Sequence, residues 1–159
     1  MNKICKIIIS IIAIIVVILL FIQVIYMRND PFASVCGNYL QDKIEIVGKV
    51  IKADISDNNC KRELGLSGRK SLKDGTGMLF IFEKEANYGF WMKQMSFPID
   101  ILWLDKYFTV VGIEKNLSAN TYPTVFGQEY LAKYVLELSA GFSDRNNVAV
   151  GNKISILEK

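Results

Sequence analysis

The stretch from Ile7 to Tyr26 constrains this chain most, because it reads IIISIIAIIVVILLFIQVIY and carries no charged residue over twenty positions. An α-helix rises about 1.5 Å per residue, so a segment of this length reaches across a hydrocarbon core of about 30 Å. Isoleucine and valine are mediocre helix formers in water, but lipid forces the backbone to satisfy its own hydrogen bonds. The run therefore predicts a membrane-spanning helix over 7–26.

A cleaved secretory signal peptide is the alternative explanation of the apolar run. Signal peptides have apolar cores of roughly 7–15 residues and end at a small-x-small cleavage site. The core here is longer, and residues 24–30 read VIYMRND without a small pair. We therefore expect an uncleaved signal-anchor.

Charges on the two sides of the run predict its orientation. Lys3 and Lys6 precede it, whereas Arg28 stands beside Asp30 after it. The positive-inside rule then places the N-terminus in the cytoplasm and the bulk of the chain outside. We expect a cytoplasmic N-terminus over 1–6, a transmembrane helix over 7–26, a linker over 27–43 and an extracytoplasmic β-rich domain over 44–157.

The charge balance and the missing histidines exclude several function classes. Three of the 19 basic residues flank the apolar run, and the remainder equal the 16 acidic residues in number, so the domain is formally neutral. Nucleic-acid binding needs clustered basic residues and is rejected. With no histidine in the chain, catalysis by a Ser/His/Asp or Cys/His arrangement is excluded as well. We expect no cofactor.

The three cysteines divide into Cys5, before the apolar run, and Cys36 and Cys60, beyond it. In an oxidising exterior Cys36 and Cys60 are able to pair, and two free thiols are the alternative. No Cys-x-x-Cys pair is present, so neither a structural zinc site nor a thioredoxin-like motif is expected.

The pattern beyond residue 43 predicts a mainly β (α+β) domain. Apolar, β-branched segments recur between turn signals, and Asn58 followed by CKREL and Gly65 predicts one short helix. Residues 131–138 fit both helical and strand spacing, and we assign a strand. The strands are expected at 44–55, 78–82, 89–92, 99–105, 109–114, 131–138 and 153–157. Regular short strands indicate a small β-barrel or sandwich-like domain with one or two short helices.

Four sequence blocks resemble the uncharacterised prokaryotic family called domain of unknown function 192. The resemblance spans about residues 44–157 and implies a small β-rich domain, often exported, without an established activity. One departure is Ser67, which stands where the family's Gly-Leu-Met usually has methionine. The blocks are GMLFIF at 77–82, FWMK at 90–93, PIDI at 98–101 with LD at 104–105, and YVLELSAG at 134–141.

Trp91 and Lys93 are the first candidate ligand-binding residues. Strand geometry at 90–93 places Phe90 and Met92 on one face and Trp91 and Lys93 on the other. An aromatic ring beside a cation suits a sugar or an anionic ligand, whereas packing of Trp91 in the core is the alternative. Core packing is favoured, because large aromatics are mostly packing residues.

Asp100 and Glu137 are carboxylates set between apolar residues, and Arg69 is a candidate partner. A buried Asp100 needs compensation, so we expect it to pair with Arg69 or Lys93, in a structural salt bridge or a polar ligand pocket. Together, Asp100 and Glu137 would form a two-carboxylate glycan hydrolase site. Single carboxylates on strands more often face solvent.

These observations favour a non-catalytic ligand-binding or interaction module at the cell envelope. Its candidate ligand-binding residues are Arg69, Trp91, Lys93, Asp100 and Glu137, and its ligand is expected to be small and polar or carbohydrate-like. The alternatives are a carboxylate-dependent glycan hydrolase and a structural subunit of a membrane complex. No protein partner is identified by the sequence.

Overall fold

The computed structural model describes residues 3–28 and 33–157. The chain divides into two compact units, Met1–Asn38 and Tyr39–Lys159. The first unit contains the helix α1 (Lys3–Arg28) and the single turn α2 (Ala33–Cys36). Part of the linker predicted over 27–43 lies outside the described residues.

Helix α1 covers the whole apolar run. Its described side chains are those of Cys5, Ile8 and residues 11–22, and all of them are exposed. Among the described residues, no helix is both long enough and apolar enough to cross a membrane.

The second unit is built on one seven-stranded sheet, and the expectation of a mainly β domain is confirmed. The sheet order is β5-β4-β6-β3-β2-β1-β7. Neighbouring strands are antiparallel except β2 and β3, which are parallel and joined by the short helix α3 (Asn59–Leu64). The strands are β1 (Gln41–Ile46), β2 (Lys49–Ser56), β3 (Thr76–Asn87), β4 (Ile99–Leu104), β5 (Val110–Leu117), β6 (Leu131–Ser139) and β7 (Ile154–Leu157).

The sheet is curled into a half-barrel, because its two edge strands approach each other at one end. Thr109 and Lys153 form a bridge there, and the Val110 amide donates to the Asn152 carbonyl at 2.9 Å. Val110 and Ile154, from the two edge strands, lie in one apolar cluster to which all seven strands contribute. This inner cluster fills the concave side of the sheet.

A second apolar cluster covers the outer side of the sheet. It is formed by β3, β4 and β6, by Leu117 at the end of β5 and by residues from the connecting segments, such as Leu66 and Met92. Trp103 is its largest fully buried side chain, and its indole N–H donates to the Tyr88 carbonyl at 2.9 Å. Both faces of β4 and of β6 from Val135 to Leu138 are therefore buried.

Two predicted strands differ in the structure. Residues 44–55 form a β1–β2 hairpin rather than one strand, because Val47 and Gly48 both have positive φ and close the turn. Residues 89–92 form no strand, and only Phe90 makes a bridge, to Phe126. The strand assigned at 131–138 is confirmed as β6, and the short helix ends at Gly65 as expected.

Cys36 and Cys60 are each disulfide-bonded, whereas Cys5 is a free, exposed thiol. The alternative of two free thiols at Cys36 and Cys60 is therefore excluded.

Asp100 holds the inner side of the sheet to the turn that follows β6. Its carboxylate is fully buried and accepts backbone N–H groups from Asn116 at 2.9 Å, Gly141 at 3.0 Å and Ser143 at 2.8 Å. The expectation that Asp100 pairs with Arg69 or Lys93 is wrong, since backbone amides compensate its charge. These bonds tie β4 to the end of β5 and to the one-turn helix α4 (Phe142–Arg145).

Replacement of Asp100 tests this role. We expect Asp100→Asn to lower the free energy of unfolding by about 3 kcal/mol, because the amide nitrogen that replaces one carboxylate oxygen cannot accept a hydrogen bond from the buried backbone N–H groups. Urea unfolding followed by tryptophan fluorescence measures the loss. Asp144→Asn is the matched control, since Asp144 lies in the same turn but is exposed. Equal stability of the two variants would contradict the assignment.

Candidate functional site

A groove of about 600 Å³ opens on the outer side of the sheet. One wall comes from α3 and the residues after it, over 59–67, and the other from residues within 88–95. Phe80 and Phe82 of β3 line it between these walls, and Glu137 of β6 lies at its floor. We name it the α3 groove.

The groove is rich in aromatic rings that hold one another in place. Phe82 and Tyr88 are stacked with 3.5 Å between ring centroids. The ring of Phe90 makes T-shaped contacts with Phe80, at 4.9 Å between ring centroids, and with Trp103, at 6.1 Å. Because aromatic pairs in these geometries attract one another, the apolar walls of the groove are preformed.

Glu137 is the only carboxyl group at the floor among the described groove residues. In the antiparallel pairing its neighbours on the same face are Met78 of β3 and Ile101 of β4, both fully buried. Burial raises the pKa of Glu137 to about 8, and the charge of Arg69 lowers it in part. The carboxyl is therefore mostly protonated and uncharged at pH 7. Its Oε2 atom is buried and has no hydrogen-bond partner.

Arg69 lies near Glu137 but outside the lining of the groove. Its Nη1 pairs with the Oδ2 atom of Asp54 at 2.8 Å, and both side chains are largely buried. Asp54 and Glu137 share the outer face of the sheet, two strands apart, on either side of Met78. The guanidinium therefore has Asp54 as its ion-pair partner, while its Nε and Nη2 atoms have no hydrogen-bond partner.

Trp91 and Lys93 meet at the rim of the groove. Trp91 is 50% exposed, and the Lys93 ammonium lies 5.5 Å from the centroid of its indole ring. Tyr122 makes a T-shaped contact with the same ring at 6.0 Å. The favoured interpretation of Trp91 as a core residue is wrong, since Trp103 occupies the core instead. Phe90 and Met92 point inward as the alternation predicts.

Asp100 does not belong to this site. Antiparallel partners share a face, and Asp100 pairs with Leu138 of the inner cluster whereas Glu137 pairs with Ile101 of the outer cluster. The two carboxylates therefore face opposite sides of the sheet and cannot flank one bond of a substrate. The hydrolase hypothesis, which requires both on one face, has no geometric support.

Arg62 and Tyr88 line the groove and were not identified from the sequence. Arg62 donates to the Ile81 carbonyl at 2.7 Å and lies 5.4 Å from the ring centroid of Phe82. The capping pattern at Asn58 located α3 but did not indicate which side of so short a helix faces the sheet. The stacking of Tyr88 on Phe82 depends on the chain leaving the sheet after β3.

Within residues 3–28 and 33–157, no group of three or more cysteine, aspartate or glutamate side chains is arranged to hold a metal ion.

The family model for uncharacterised proteins named DUF192 matches residues 42–156 of this chain. The chain belongs to the DUF192 family. The matched segment contains the sheet, apart from the first residue of β1 and the last of β7, and the whole α3 groove, so the candidate site lies in the DUF192 domain. No curated protein matches the chain.

Two solved structures are similar to the DUF192 domain. A protein from Sinorhizobium meliloti 1021, described as a candidate transcription regulator, is 25% identical with a TM-score of 0.70, over 75% of this chain and 95% of that one. A protein of unknown function from Novosphingobium aromaticivorans DSM 12444 is 22% identical with a TM-score of 0.66, over 72% of this chain and 84% of that one. The second likeness shows the fold alone.

The protonation of Glu137 predicts how stability depends on pH. The ordinary pKa of a glutamate carboxyl is 4.5, whereas that of Glu137 in the folded domain is about 8. Between these two pH values the folded domain keeps a proton that the unfolded chain has released. The free energy of unfolding therefore falls as pH rises through this window, by on the order of 5 kcal/mol, and Glu137→Gln removes that fall.

Urea unfolding at several pH values measures this dependence, because both tryptophans, Trp91 and Trp103, lie in the DUF192 domain. Glu63→Gln is the control, since Glu63 lies on α3 at the rim of the groove and its carboxylate reaches water in both states. A Glu137→Gln variant with the wild-type pH dependence would show that Glu137 is charged in the folded domain.

Proposed function

We propose that the DUF192 domain is a non-catalytic binding module whose small, polar or carbohydrate-like ligand occupies the α3 groove. The observation that carries the proposal is Glu137, a buried carboxyl at the groove floor whose Oε2 atom has no hydrogen-bond partner. An unsatisfied buried polar atom costs about 1–3 kcal/mol, so a ligand that bonds to it recovers stabilisation that the empty domain lacks.

The size and composition of the groove support a small ligand. Sites for small molecules enclose roughly 300–1,000 Å³ and combine apolar walls with a few polar groups, and the α3 groove has about 600 Å³. Its rings present faces and edges for a sugar or another flat molecule. Arg62 and Lys93 add positive charge at its rim, and Glu63 adds one negative charge.

The composition of the chain supports a role without catalysis. The sequence contains no histidine, and the geometry separates Asp100 from Glu137. Glu137 therefore lacks, at the groove floor, the second carboxyl group that a two-carboxylate hydrolase needs.

We also propose that α1 anchors the protein in a membrane, with its N-terminus in the cytoplasm and the DUF192 domain outside. The run 7–26 is uncharged, and α1 is helical throughout it. Its side chains at 11–22 are all exposed, and the large apolar ones among them are 47–67% exposed. So large an apolar surface is stable in lipid but not in water.

A ligand titration tests the binding function. Full-length protein in detergent micelles is titrated with glucose, N-acetylglucosamine and glucuronate, and NMR chemical shifts are recorded. We expect one of these probes to shift the indole signal of Trp91 and the amides of 88–95. Trp91→Ala should weaken that binding about tenfold, the loss expected from one stacked aromatic contact.

Tyr107→Ala is the matched control, because Tyr107 is 66% exposed and lies outside the groove. A loss of affinity equal in the Trp91 and Tyr107 variants, or the absence of localised shifts with all three sugars, would contradict this ligand class.

Cys5 offers a test of the anchor. It is a free and exposed thiol on the predicted cytoplasmic side, whereas Cys36 and Cys60 are disulfide-bonded and do not react. We expect a membrane-impermeant maleimide to label Cys5 in inside-out vesicles and not in intact cells. Cys5→Ser is the control that identifies the labelled thiol. Recovery of the full-length protein in the supernatant after membranes are sedimented would overturn the anchor.

A further inference from the structure

We infer that the ligand group held at the floor of the α3 groove is uncharged and both donates and accepts a hydrogen bond, as a carboxamide does. This inference rests on the proposed function, because it names the chemistry that the groove recognises.

The floor suits such a group because the side chains beside Glu137 are apolar and leave its carboxyl free to bond to a ligand. Its cross-strand neighbours Met78 and Ile101 are fully buried and offer no side-chain hydrogen bond. In its protonated form a carboxyl group has one O–H donor and one carbonyl acceptor. A primary amide carries the complementary N–H and C=O groups, so the two planar groups form a pair of parallel hydrogen bonds.

The protonated state follows from the burial of the carboxyl. Desolvation raises the pKa of Glu137 to about 8, so the donor is present at neutral pH. The ionisable groups packed around the groove and its floor are Asp54 on β2, Arg62 and Glu63 on α3, Arg69 in the segment after α3, and Tyr88 and Lys93 in the segment 88–95.

These surrounding charges disfavour an organic cation in the groove. Arg62 and Lys93 line it, and their guanidinium and ammonium groups already lie over the rings of Phe82 and Trp91. A ligand ammonium would compete with them for the same aromatic faces and would be repelled by them.

An anionic head group is disfavoured at the floor for a different reason. Arg69 does not line the groove and its Nη1 already pairs with Asp54 at 2.8 Å, so an anion at the floor would meet the Glu137 carboxyl without a direct ion pair to replace its lost hydration. An anion at the rim still benefits from Lys93, and the floor is therefore where neutral and anionic ligands differ most.

Three probes of nearly equal shape separate these cases. Full-length protein in detergent micelles is titrated at pH 6.5 with phenylacetamide, phenylacetate and 2-phenylethylamine, and NMR shifts of residues 88–95 and 137 are followed. We expect phenylacetamide to bind at least tenfold more tightly than either charged probe. Phenylacetate or the amine binding as tightly as the amide overturns the inference while leaving the binding function of the groove intact.

Substitution of Glu137 separates recognition by this carboxyl from simple filling of the groove. Glu137→Gln keeps the shape, one donor and one acceptor, so phenylacetamide should still bind. Glu137→Leu should weaken it at least tenfold. Glu129→Gln is the control and should leave the affinity unchanged, because Glu129 is exposed and lies outside the lining of the groove.

The pH dependence of the Kd of phenylacetamide distinguishes recognition by Glu137 from a merely structural role, because a structural role would leave the Kd independent of pH. One pH unit above its pKa only about a tenth of Glu137 stays protonated, so the apparent Kd of phenylacetamide for wild type should rise about tenfold at pH 9. With Glu137→Gln the Kd should be the same at pH 6.5 and pH 9. An unchanged wild-type Kd at pH 9 overturns the inference, and silence of all three probes together with the three sugars overturns the proposed function as well.

Discussion

The burial of both faces of β6 is the constraint on which the rest of the domain depends. This strand lies between β3 and β4, and its residues from Val135 to Leu138 alternate between the outer and inner apolar clusters. A polar residue within that stretch cannot reach bulk water from either side of the sheet. Glu137 occupies such a position, and it lines the α3 groove.

The domain buries two carboxyl groups, and their hydrogen-bonding environments differ. Asp100 is held by three backbone N–H groups, each of which loses its own contact with water in exchange for a charged acceptor. Glu137 has apolar cross-strand neighbours, and Arg69, whose charge lowers its pKa in part, has Asp54 as its ion-pair partner. One carboxylate therefore stabilises the fold, whereas the other is left with unused hydrogen-bonding capacity in a groove.

Sequence patterns identified both of these carboxylates and both of the exposed rim residues, but they assigned the relationships between them incorrectly. Asp100 and Glu137 were each recognised because apolar residues flank them. Whether two such residues share a face depends on the register between β4 and β6, and a shift by one residue would reverse the answer. Likewise, the alternation at 90–93 placed Trp91 opposite Phe90 without showing which of them faces water.

The sequence by itself determined the mainly β character of the domain, the DUF192 resemblance, the short capped helix and the long uncharged run at 7–26. Each of these depends on neighbouring residues or on composition, so local sequence patterns are enough to predict it. Only the tertiary structure decided the curl of the sheet, the position of the α3 groove and the separate environments of Asp100 and Glu137. Those features depend on strand pairings between residues far apart in sequence, and hydrogen bonds between distant strands leave no local pattern from which they can be predicted.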